Sequence, residues 1–186
     1  MKWPEPGSRL ALPPLLLIML VENAFKFSAA GTPVTVAGRI VDGLYRIEVN
    51  EGPGSGLKVL NKPIPPAFRE SIGFAEQNLY ARAQQLVGDR DPRSHEFSIQ
   101  LRGFDAAKSG AKTGVAALIA LSGALLKKSV RGGLVVVGEV TLGGTIEPIH
   151  NAVTLAEIAV EKGAKSLLLP VACRRQLFDL SDEMAT

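Results

Sequence analysis

The chain has 186 residues, 46% hydrophobic and 21% charged, enough for one sizeable core and too few for two ordinary domains with a linker. That balance excludes a disordered or collagen-like chain, and a formal charge of +3 without a basic tract excludes a nucleic-acid arm. The single cysteine, Cys173, cannot close an internal disulfide, and no Cys/His group has zinc-ligand spacing, so no metal is expected and a reducing, cytoplasmic setting is.

Residues 1–31 form an irregular, apolar, Pro-rich segment distinct from the domain expected over 32–186. The apolar run Leu10 to Val21 is too short to span a bilayer, so no membrane partner is expected. Lys2, Arg9 and Ser28-Ala29-Ala30 imitate a signal peptide, but Pro13-Pro14 interrupts the apolar stretch, which leaves an interdomain remnant or a mistaken start as the plainer reading. Val34 and Val36, then Tyr45, Ile47 and Val49, alternate on either side of Asp42-Gly43 and predict a β-hairpin. Gly52 to Gly56 reads as a loop, and Leu57 to Leu60 as a short strand before Pro63.

Pro65-Pro66 opens a helix in which Phe68, Ile72, Ala75, Leu79, Ala83 and Leu86 recur at helical spacing, ending at Gly88-Asp89. Phe97, Ile99 and Leu101 alternate with polar residues in a half-buried strand. A small-residue loop from Gly103 to Gly110 leads to a buried helix over Thr113 to Leu126, where Ala116, Ala117 and Ala120 permit close packing. Leu134 to Val137 reads as a continuously apolar strand, Gly143-Gly144 as a hairpin turn, Asn151 to Lys162 as a helix stopped by Gly163, and Ser166 to Leu169 as a last buried strand. Lys127-Lys128 and Arg174-Arg175 read as solvated element ends, His95 and His150 as solvated or capping histidines, and Cys173 as a small buried hydrophobe packed against the helix that starts there. The pattern is mixed α/β.

Two segments carry chemistry-bearing motifs, Lys108-Ser109-Gly110-Ala111-Lys112-Thr113-Gly114 and Gly138-Glu139-Val140-Thr141-Leu142-Gly143-Gly144-Thr145-Ile146-Glu147-Pro148-Ile149. Their order and spacing, continued through Lys162-Gly163-Ala164-Lys165 to Pro170, resemble the proteolytic domain of the Lon (S16) family, and Gly143-Gly144-Thr145 is similar to its Lon-like branch in BREX phage-defence systems. The resemblance, judged element by element from about Pro33 to Thr186, implies the Lon proteolytic fold, α/β (α+β) and akin to the second domain of ribosomal protein S5. Family domains usually continue with a further strand and helix, so truncation after Thr186 is an expectation.

Lon peptidases resemble one another in a serine nucleophile whose proton is taken by a lysine with a lowered pKa. Carried over position by position, the serine falls on Lys112, the lysine on Leu155 and the supporting threonine on Val137, so no catalytic group is intact. Leu155 instead extends an apolar stripe with Ile158 and Ala159, and Lys162, about 10 Å further along the axis, does not replace the lost lysine. The alternative is an active ATP-dependent serine endopeptidase with Ser109 as a shifted nucleophile and Lys112 or Lys108 as base, Thr113 and Thr154 being the other hydroxyls near the old site in sequence. Gly110, Gly114, Gly138, Glu139, Gly143 and Gly144 remain as structural motif, the glycines for tight loops and close packing. Glu139, after so apolar a strand, is expected to be partly buried and to pair with backbone amides or a basic residue that fixes the loop bearing Lys112.

Ser109-Gly110-Ala111-Lys112-Thr113 also imitates the end of a P-loop, but Ala111 and Ala106 stand where that loop needs glycine. The resemblance implies no cofactor in this chain, ATP being held by an upstream AAA+ ATPase region. It further implies a homo-oligomeric ring, commonly hexameric, in which the domain is a non-proteolytic oligomerisation or docking module reaching DNA only through the full-length protein. Binding of DNA by the chain alone would show as salt-sensitive retardation, which the small net charge disfavours.

Overall fold

A computed structural model of the chain describes residues 34–40, 43–64, 66–102 and 113–179. β1 (Val34–Ile40) and β2 (Gly43–Pro53) form the expected antiparallel hairpin, Val34 opposite Ile47 and Ile40 opposite Gly43. The Gly52 to Gly56 run is mostly strand rather than loop. β2 continues through Pro53, and β3 (Gly56–Val59) begins on the other side of β4 (His95–Arg102). Glu96 is in register with both Gly52 and Gly56, so Gly54 and Ser55 straddle the start of β4. That step spans two strand spacings, about 9.6 Å, within the reach of the four Cα–Cα steps from Gly52 to Gly56, about 15 Å. Gly54, at φ 135°, crosses over Glu96, whose Cβ would stand 3.1 Å from any added side chain.

The sheet runs β3-β4-β2-β1-β5-β8, with β1, β5 (Leu134–Val136) and β8 (Ser166–Leu168) mutually parallel. On one face Ile47, Phe97, Ile99, Leu101, Leu134 and Val136 pack against α1 (Pro66–Ala81), α2 (Ala83–Val87) and α3 (Gly114–Leu126). Nearly all of α3 is buried, as its composition predicts. The single helix expected to run to Gly88 is broken at Arg82, whose φ of −121° and ψ of 23° leave the α region while its side chain reaches a neighbouring hairpin.

The opposite face is covered by α4 (Ala152–Glu161) and a 3-10 helix, Val171–Asp179, over a second apolar cluster of Val135, Val137, Ile149, Ala152, Leu155, Ala159 and Cys173. β5 thus sends alternate side chains into two cores, which is why its sequence is continuously apolar. β8 is half-buried rather than buried, because it stands at the sheet's edge among the described residues. Between β5 and α4 a small hairpin, β6 (Glu139–Val140) with β7 (Ile146–Glu147), projects from the main sheet.

Cys173 is fully buried, its Sγ accepting from the Ile149 amide at 3.2 Å. His150 is exposed, and His95, expected to be solvated or capping, caps the 3-10 turn Pro92–Ser94 with its amide while its Nδ1 lies 2.5 Å from Glu51 Oε1. The register placing Pro53 opposite His95 makes Glu51 its diagonal neighbour on the same face. Among the described residues no helix is long and apolar enough to cross a membrane.

Candidate functional site

The chain leaves β5 at Gly138, where φ is 149° and a Cβ would meet Pro170 and Val115 at 3.3 Å. This close approach brings the first turn of α3 onto the end of β5, with the Val115 amide donating to the Gly138 carbonyl at 3.2 Å. The next residue, Glu139, is only 9% exposed. Its Oε2 accepts from the Ser71 hydroxyl of α1 and its Oε1 from the Val140 amide at 3.1 Å. That carboxylate lies against Gly114, the first residue of α3, so closely that a Cβ at Gly114 would overlap Oε1. Glu139 therefore ties α1, α3 and β6 together, and its negative charge faces the positive end of α3. The expected backbone partner is the Val140 amide, the hydroxyl partner Ser71 was not anticipated, and the Lys112 loop it was expected to fix lies outside the described residues.

The β6–β7 turn is braced from α1. Asn78, fully buried, donates to the Thr141 carbonyl at 2.8 Å, and Arg82 donates to the Gly143 carbonyl at 2.5 Å and to Asn78 Oδ1 at 2.6 Å. Gly144 takes φ 84° and closes the turn onto the Thr141 carbonyl at 2.9 Å, and a Cβ there would strike the Arg82 guanidinium. Gly143 and Gly144 thus serve the turn, as expected. The turn presents Leu142 62% exposed.

Of the positions read as the family's catalytic groups, two are described. Val137, 5% exposed, donates its amide to the Leu168 carbonyl at 3.0 Å and points into the second cluster. Leu155, also 5% exposed, lies in the same cluster. No atom of either side chain can accept or donate a proton. Lys108, Ser109, Gly110 and Lys112 lie outside the described residues. Thr154 is exposed on α4, away from the cluster that holds Leu155.

Thr113 is fully buried and its hydroxyl has no partner among the described residues. A P-loop threonine must instead turn its hydroxyl to a metal at an open helix end. Here the first residue of α3 abuts the Glu139 carboxylate.

Sequence reasoning missed Ser71, Asn78 and Arg82. For two of them a signal was present: Ser71 and Asn78 interrupt the apolar stripe of Phe68, Ile72, Ala75 and Leu79 at helical spacing, and polar residues inside such a stripe must find buried partners.

Comparison with known proteins agrees with this arrangement. Residues 26–186 match the family described as the Lon protease (S16) C-terminal proteolytic domain. The chain is 29% identical over 158 residues to the Lon-like protease BrxL of Escherichia coli O9:H4 (strain HS), covering 82% of this chain and 22% of that protein. It is 29% identical over 163 residues to the Lon protease of Paraburkholderia phytofirmans, covering 87% of this chain and 20% of that protein. With the Lon protease of Phenylobacterium zucineum it shares 28% identity over 176 residues, 92% of this chain and 22% of the relative. The chain spans about a fifth of the length of the curated relatives it matches.

Proposed function

We propose, since this chain belongs to the family of Lon protease (S16) C-terminal proteolytic domains, that it is a proteolytically inactive member serving as an oligomerisation or docking module. The observation that carries the reading is the burial of Leu155 and Val137, 5% exposed each, in an apolar cluster where the chemistry requires an amine and a hydroxyl. Serine–lysine hydrolysis needs a base within hydrogen-bond reach of the nucleophile, and a leucine supplies none. The Gly138, Glu139 and Gly144 geometry supports a rigid scaffold independent of that chemistry.

The similarity to the Lon-like protease BrxL, with the Gly143-Gly144-Thr145 pattern, supports a place in an ATP-dependent phage-defence protein of the BREX type. In this reading ATP is held by a AAA+ region upstream, the assembly is a homo-oligomeric ring of hexameric type, DNA is engaged only by the full-length protein, and the setting is cytoplasmic. A casein-like peptidase assay comparing the chain with Ser109→Ala tests it. No cleavage by either is expected. Cleavage lost on Ser109→Ala would overturn the inactive reading in favour of a shifted nucleophile with Lys108 or Lys112 as base.

A further inference from the structure

Helix α4 begins without a cap of its own. Asn151, at its N-terminus, takes φ 63° and makes no capping bond with its side chain. The backbone groups there are satisfied instead by the 3-10 helix, 24 to 27 positions further along the chain. Gln176 Oε1 accepts from the Ala152 amide at 3.1 Å while its Nε2 donates to the Ile149 carbonyl at 3.1 Å. Cys173 Sγ accepts from the Ile149 amide at 3.2 Å and donates to the Ile149 carbonyl at 3.6 Å. Two side chains thus hold both backbone groups of Ile149 and the first amide of α4. The segment that supplies them is shallowly attached. Val171, Ala172, Arg174 and Arg175 are exposed, and between Val171 and Gln176 only Cys173 is buried. Val171–Asp179 is a 3-10 run of nine residues, and such runs seldom exceed a few residues because their hydrogen bonds are poorly aligned. On the other face of the sheet, α3 is buried along nearly its whole length.

We infer that the 3-10 helix is a strap that opens as a unit of its own, short of global unfolding, and so gates the second cluster and the start of α4. Segments that open locally are those with few buried apolar side chains and few backbone ladders, which describes this one. Closed, the strap holds α4 through Gln176 and seals the cluster of Val135, Val137, Ile149, Leu155 and Ala159 with the side chain of Cys173. Open, it uncovers that cluster and leaves the Ile149 carbonyl and the Ala152 amide to water, or to a segment offering the same donor and acceptor. The bonds of Glu139 to Ser71 and to the Val140 amide belong to the other core and stay in place. The strap is a property of the fold that holds whether or not the domain cleaves peptides, and it does not depend on how copies assemble.

Cys173 is the single thiol of the chain and is fully buried, so iodoacetamide reaches it only in an open form. Its labelling in the whole chain across a urea series, beside unfolding followed by circular dichroism, separates local from global opening. Labelling at low urea is expected to be faster than global unfolding allows and nearly independent of urea, because a local opening exposes little surface. Gln176→Ala should speed it about tenfold, the effect of losing two hydrogen bonds, while Arg175→Ala, an exposed neighbour, should leave the rate unchanged. Labelling whose urea dependence equals that of global unfolding would overturn the strap, and that readout stays decisive even where Gln176→Ala lowers overall stability. A rate in Gln176→Ala equal to that of the parent, or an equal gain in Arg175→Ala, would overturn it as well.

Discussion

On the α1–α3 face of the sheet the core encloses Ser71, Asn78 and Glu139 and ties each to backbone or to another side chain, whereas the α4 face holds a smaller cluster in which Cys173 is the only residue with a polarisable side-chain atom. The residues that match the family's motif, Gly114, Gly138, Glu139, Gly143 and Gly144, fall at the joint between the first face and the β6–β7 hairpin. The described positions read from the sequence as those of the family's threonine and lysine, Val137 and Leu155, fall in the second cluster. The difference teaches that the scaffold and the chemistry sit in separable parts of the domain. A polar joint of close backbone approaches cannot be altered without displacing three elements. An amine or hydroxyl at a cluster position can be replaced by an apolar group that packs there.

The comparison breaks most sharply at Gly114. Gly114→Ala places a methyl on the Glu139 carboxylate and should cost about 4 kcal/mol or more in chemical denaturation, at the upper end of single-substitution effects. Glu139→Ala leaves the Ser71 hydroxyl and the Val140 amide unsatisfied and should cost about 3 kcal/mol. The double variant should be markedly more stable than the sum of the two losses implies, because the atom struck by the methyl is gone. Additive losses would mean that the carboxylate does not set the requirement for glycine.

On the other face the expected effect is that of an ordinary core. Leu155→Ala should lower stability by about 3 kcal/mol and Leu155→Met by less than about 1.5 kcal/mol, both read from denaturation midpoints at constant slope. A Leu155→Ala variant as stable as the parent would show that the position is not packed as found. The smallest effect belongs to the hairpin brace. Arg82→Ala should cost about 1–2 kcal/mol and speed hydrogen exchange of the Thr145 and Gly144 amides, which close the turn on Thr141, while amides of β5 keep their protection.

Much of this was legible in the chain. Period-two alternation gave the β1–β2 hairpin and β4, small apolar residues gave a buried α3, and the two motifs identified the family because glycine spacing records backbone contacts. Less was legible where the outcome hung on a distant neighbour. The run Gly52-Pro53-Gly54-Ser55-Gly56 has the composition of a loop, yet it is held extended on both sides of β4 by ladders that only the assembled sheet supplies. Arg82 occupied an unremarkable place in a helical pattern, and the helix breaks there because a carbonyl on the β6–β7 turn takes its guanidinium.

The sequence by itself determined the fold class and the family, since each of these depends on residue identity at fixed spacing. Only the tertiary structure decided that Ser71 is the hydroxyl partner of Glu139, that His95 meets Glu51, and that Gly114 is glycine because a carboxylate lies against it. Such pairings join residues up to 68 positions apart, and no local pattern specifies which of several buried polar groups will come within 3 Å of which.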